Sequence, residues 1–127
     1  KAISILSYTD VVNTPIPLRF EVVLASNLKE FSTDNSVAYF DMDAIEFPLT
    51  LRPWQQGDRF VPFGMKGHKK LSDFLIDQKV PLHHKRDVLV LLSNHEIIWV
   101  VGHRTDNRFR VTANTQRVLI IRTEKGE

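Results

Sequence analysis

The chain of 127 residues contains no cysteine. Disulfides and thiolate-held metals are thereby excluded, and a reducing, cytoplasmic address is permitted. No apolar run is long enough to cross a bilayer as a helix, and no signal peptide opens the chain. Several catalytic signatures are missing too: there is no GxSxG elbow, no HExxH pair and no lysine in a GxxxxGK[ST] frame. Glycine is scarce, and three of its five residues fall between positions 51 and 70. The chain begins at Lys1 rather than methionine, as expected of a piece of a longer protein.

Net charge looks unremarkable at +2 until it is divided along the chain. Residues 1–51 hold three Lys/Arg against seven Asp/Glu, whereas residues 52–110 hold eleven against six and all five histidines. An acidic first part joined to a basic second one points to a polyanion as the partner of the latter. The basic part opens on residues 51–70, where glycine, proline and Trp54 interrupt Arg52, Arg59, Lys66, His68, Lys69 and Lys70. So many turn formers without a period predict a structured loop. Its basic side chains suit nucleic acid.

Around that loop the pattern predicts short strands at residues 3–8, at Leu18–Leu24 and at 37–40. Leu18, Phe20, Val22 and Leu24 share one face, and a single helical turn is expected at 28–31. After the loop, residues 71–79 have helical spacing, with Ser72 as N-cap and Leu71 and Ile76 as a hydrophobic staple. Val80-Pro81 ends this helix, and Pro81 suits the first turn of a second one through Arg86. Residues 88–92 and 97–101 form a hairpin that is apolar on both faces, hence central in a layered core. Residues 109–112 and 117–121 add one or two strands, and a frayed tail is expected from Thr123. The sum is an α+β domain with an antiparallel, sandwich-like core and one or two short helices inserted after the central loop.

Three basic clusters are candidate phosphate contacts. The first is the loop itself, running into a helix N-terminus where an anion is favoured. Lys79, Lys85 and Arg86, beside His83 and His84, form a second. Arg104, Arg108 and Arg110 form a third. The histidines lack a convergent metal spacing and read as structural or solvent-facing. No serine stands out as a nucleophile. Asp58 reads as the salt-bridge partner of Arg59, and Asp73 as a helix-start charge. No catalytic centre emerges. Trp99 reads as core; Trp54 is open between packing under the loop and stacking on a base or ribose.

The motifs Leu51-Arg52-Pro53-Trp54, Gly57-Asp58-Arg59-Phe60 and Pro62-Phe63-Gly64-Met65-Lys66-Gly67-His68-Lys69-Lys70-Leu71-Ser72-Asp73-Phe74-Leu75 closely resemble the C-terminal domain of tRNA(Ile)-lysidine synthetases. Val80-Pro81, Ile97-Ile98-Trp99-Val100, Gly102-His103-Arg104 and Phe109-Arg110-Val111-Thr112 continue it in order, so the likeness spans residues 47–121. Residues 1–46 carry no motif of the family. The resemblance implies an α+β fold shared with a domain of the phenylalanyl-tRNA synthetase β-subunit. It also implies a parent ligase that uses ATP and Mg to attach lysine to the wobble cytidine of the CAU-anticodon isoleucine tRNA. The SGGxDS loop of its catalytic domain is absent here, so this piece is expected to be inactive alone and to hold no cofactor. What remains for it is recognition of the tRNA body and acceptor stem through Arg52, Trp54, Arg59, Lys66, His68, Lys69, Lys70, Lys79, Lys85, Arg86, Arg104 and Arg108. The expected partners are that tRNA and the parent's own catalytic domain. The rival expectations are a non-selective RNA grip, and a dimerisation or docking domain.

Overall fold

The structure is a computed structural model that describes residues 1–124. In chain order its strands are β1 (Ile3–Ile5), β2 (Leu18–Leu24), β3 (Val37–Asp41), β4 (Leu49–Pro53), β5 (Arg59–Phe60), β6 (Lys69–Lys70), β7 (Leu89–Ser93), β8 (Glu96–Val100), β9 (Arg104–Thr105) and β10 (Arg117–Thr123). Helices α1 (Leu71–Asp77) and α2 (Leu82–Lys85) lie between β6 and β7. The larger sheet runs β1-β4-β7-β8-β9, the smaller one β2-β10-β3, and β5 pairs with β6 alone. Every pairing is antiparallel. The first 46 residues thus supply strands to both main sheets.

The β7–β8 hairpin explains the layering. Asn94 and His95 both adopt positive φ, as a tight two-residue hairpin turn requires. Its two faces serve two cores. Leu91, Ile98 and Trp99 pack against Leu18, Phe40, Leu119 and Ile121 of the smaller sheet, making the sandwich. Val90, Leu92, Ile97 and Val100 point the other way, onto Phe60, Leu71, Phe74 and Leu75. The register slips between Leu91 and Leu92, where Leu91 faces Trp99 and Leu92 faces Ile97. That bulge lets the consecutive residues Ile98 and Trp99 join the same core, against the alternation of a regular strand.

Several local expectations are corrected. Residues 51–70 are not loop throughout: β4 runs on to Pro53, and Arg59–Phe60 pairs with Lys69–Lys70 across an eight-residue excursion, residues 61–68. The helical turn falls at Ala25–Asn27, not at 28–31. Lys70, not Ser72, is the N-cap of α1, and its side chain makes no capping bond. Ile76 is exposed, so the staple does not form. The helix stops at Asp77, before Val80-Pro81, because Lys79 turns into the left-handed region at φ 58. The Lys79 and Val80 amides then donate to the Ile76 and Leu75 carbonyls, a Schellman ending. Pro81 is the N-cap of α2 rather than its first residue. Residues 109–112 form no strand, and Phe109 instead ends a 3-10 turn over Asn107–Phe109. In the tail, Thr123 still belongs to β10, and residues 125–127 lie outside the described residues.

The second core fixes the β5–β6 hairpin above the larger sheet. Phe60 is fully enclosed and meets Phe74 edge-on at 5.0 Å. Phe60→Ala should therefore cost about 3–5 kcal/mol, a large part of a domain's stability. Urea unfolding checks this; an unchanged midpoint would contradict the packing of the hairpin on α1.

Candidate nucleic-acid interface

The excursion at residues 61–68 would be a floppy tip were its base not tied down. Asp106 is completely buried, and its carboxylate accepts from the Val61 amide at 2.8 Å and from the Arg108 amide at 2.8 Å. The Arg108 side chain donates twice more, through Nε at 3.0 Å and a terminal nitrogen at 2.9 Å. Backbone bonds complete the seam. The Asn107 amide reaches the Val61 carbonyl at 2.7 Å, the Phe63 amide reaches Thr105 at 2.9 Å, and the Asp106 amide reaches the bulge carbonyl of Ile98 at 2.8 Å. The Asn107 side chain accepts from the Gly64 amide at 3.1 Å, where φ of +89 suits glycine.

A second carboxylate orders the approach to β5. Asp58 pairs with Arg52, not with Arg59, through two bonds of 3.0 Å, and also accepts from the Gln55 amide at 2.7 Å. The bidentate fork fixes both side chains. The Asp58 carbonyl takes the Leu71 amide at 2.9 Å, so one donor of the expected anion site at the α1 N-terminus is already used.

The twelve candidates separate into two kinds. Arg52 is held by Asp58, Arg108 by Asp106 and Glu96, and Lys69 by Asp77 at 2.7 Å. Hydrogen bonding to Asp106 raises the Arg108 pKa still further, so its charge is permanent and internally matched. Trp54 is half-buried against the second core and donates to the Lys85 carbonyl at 2.7 Å. Arg59, Lys66, Lys70, Lys79, Lys85, Arg86 and Arg104 have no carboxylate within ion-pair distance among the described residues. His68 is exposed beside them. Arg104 lies over the Phe74 ring at 5.4 Å. No group of three or more His, Asp or Glu positioned for a metal occurs among the described residues.

His103 links the clusters. It lines a cavity of about 490 Å³ with Phe63 and Arg104, and a second of about 370 Å³ with Lys79 and His84. His103 is thus a shared wall between the cavity that Phe63 and Arg104 border and the one that Lys79 and His84 border. Burial lowers the His103 pKa from 6.5. The folded chain thus favours the neutral imidazole; its stability is complete above pH 6.5 and declines below it, where the unfolded chain binds the proton first. His103→Gln should flatten the fall in thermal midpoint between about pH 7.5 and about pH 5.5; equal slopes would contradict the burial.

Sequence reasoning missed Asp106 altogether. Its only sign was a lone acid in an arginine-rich segment, which resembles any solvated charge. Asp106→Ala should cost about 1–3 kcal/mol, since it leaves the Val61 and Arg108 amides without their acceptor. Amide exchange in residues 61–65 should rise by more than elsewhere; uniform exchange would contradict the seam.

A family model for the TilS substrate C-terminal domain matches residues 49–121. The tRNA(Ile)-lysidine synthase of Parabacteroides distasonis is 48% identical over 107 residues, covering 84% of this chain and 24% of that protein. That of Bacteroides thetaiotaomicron is 43% identical over 98 residues, covering 72% and 23%. This chain accordingly spans about a quarter of the length of these relatives. A crystal structure of a TilS C-terminal domain superposes with a TM-score of 0.77 at 20% identity, covering 100% of this chain and 99% of that one. An N-terminal fragment of the Pyrococcus horikoshii phenylalanyl-tRNA synthetase β-subunit shares the fold at a TM-score of 0.56 and 22% identity, over 68% of this chain and 27% of that one. With the motifs in family order and the expected antiparallel sandwich in place, this chain belongs to the C-terminal domain family of the tRNA(Ile)-lysidine synthases.

Proposed function

We propose that this domain grips the body and acceptor stem of the CAU-anticodon isoleucine tRNA for a tRNA(Ile)-lysidine synthase. ATP- and Mg-dependent ligation belongs, on this reading, to a catalytic part outside these 127 residues, in the cytoplasm. That tRNA and the catalytic part are its partners.

The observation that carries the proposal is a set of cations that folding alone does not account for. Arg59 stands directly across from Lys70 in the hairpin. Like charges so placed disfavour the pairing by a few tenths to about 1 kcal/mol. Lys79 occupies a left-handed position where glycine is usual, again at a cost of about 1 kcal/mol. Gly67 has no positive φ, and a Cβ there would meet nothing within 4 Å. No described neighbour requires that glycine, whereas an RNA backbone approaching between Lys66 and His68 would. A-form RNA is recognised largely by shape, phosphates and 2′-hydroxyls, for which unmatched cations on a fixed hairpin are suited.

Lys66→Ala with Lys70→Ala should weaken tRNA binding and lower the salt slope by about one per contact, with the thermal midpoint kept. Unchanged filter-binding affinity at moderate salt would count against the proposal. Lys79→Gly should stabilise the fold by about 1 kcal/mol while weakening tRNA binding. Gly67→Ala should fold normally and bind less tightly. Competition with elongator methionine tRNA separates selective recognition from a grip on any structured RNA.

A further inference from the structure

We propose that the cleft between the β9 edge of the larger sheet and the segment leading into β3 receives one unstacked base of single-stranded RNA. This rests on the RNA-gripping reading above. The cleft encloses about 490 Å³, a volume in the range of small-ligand sites. Its lining includes Phe31 and Phe63, which are 50% and 54% exposed, while fully enclosed Trp99 lies beneath. Large aromatics normally bury themselves. Two left half-open on one cavity, from different layers of the fold, form a stacking platform of the kind single strands use.

The Phe31 ring and the Phe63 backbone are held in place. Phe31 meets Tyr39 edge-on at 4.8 Å, and the Tyr39 hydroxyl accepts from the Ser32 amide at 2.9 Å. Phe63 is pinned through its amide to Thr105 at 2.9 Å, within the Asp106 seam. A base stacking here would therefore meet a preformed surface, with little ordering cost. Charge orients the visitor. Arg104 lines the cleft without a carboxylate partner among the described residues and can face a phosphate. The aromatic lining leaves the uncharged base as the part to bury. Phe63 lies three residues before Lys66, so a strand leaving the hairpin reaches the cleft directly.

The test compares a short unpaired RNA oligonucleotide with a blunt RNA duplex, using the full chain and Phe31→Ala/Phe63→Ala. The variant should bind the oligonucleotide about 10-fold or more weakly, with duplex affinity and the salt slope of both unchanged. Equal loss for both RNAs, or a lower slope, would overturn the inference by making the rings mere supports of the hairpin. Should the variant not fold, chemical shifts in the unaltered chain decide: the oligonucleotide should move Phe31, Phe63 and the Trp99 indole signals, and unmoved signals overturn the inference. If tRNA binds with a steep salt slope but the oligonucleotide does not bind, the cleft assignment fails and the grip stands. If neither binds, both fail.

Discussion

The Asp106 carboxylate has no water to turn to. Enclosed completely, it depends on Val61 and Arg108 for its partners, and they depend on it. A buried charge is tolerated only when its hydrogen bonds are complete, so the seam holds one geometry or is lost. That constraint turns a glycine-rich excursion into a fixed platform. It joins the hairpin tip to the bulge in β8, because the Asp106 amide takes the extra carbonyl at Ile98. The bulge in turn is what puts both Ile98 and Trp99 in the sandwich core. Interior packing and surface presentation are thus one connected arrangement.

Acidic partners divide the basic residues by role. Arg52 and Arg108 are spent on buried or half-buried carboxylates and build the surface; their loss would be felt as instability. Arg59, Lys66, Lys70, Lys79, Lys85 and Arg86 keep no carboxylate within ion-pair distance among the described residues and form the surface itself. A charge count along the sequence cannot separate these kinds, since both are arginines or lysines in the same short stretch. Trp54 shows the same ambiguity, its indole nitrogen bonding the Lys85 carbonyl and so tying the loop to α2.

Legibility followed the range of the forces involved. The β7–β8 hairpin was readable because an apolar run, a polar turn and a second run are local signals, and so was β2. The hairpin β5–β6 was hidden since each strand has two residues and is stabilised by Phe60 packing on a helix farther along the chain. Helix limits were displaced by two residues at Asp77 because a lysine took a left-handed position that sequence assigns to glycine. Ser72 has the right chemistry for a cap, but the Leu71 amide is met by Asp58 from the preceding loop instead. The basic character of the site was visible in the sequence. The cleft between Phe31 and Phe63 was not, for it arises only when the edges of two sheets come together.

The central claim is that the buried carboxylate places the cations that hold RNA. A double-mutant cycle between Asp106→Asn and Lys66→Ala, read as tRNA affinity, tests it most directly. If the seam positions the hairpin, Asp106→Asn weakens binding and Lys66→Ala then costs less than it does in the unaltered chain. Additive losses, or full affinity in Asp106→Asn, would contradict the account.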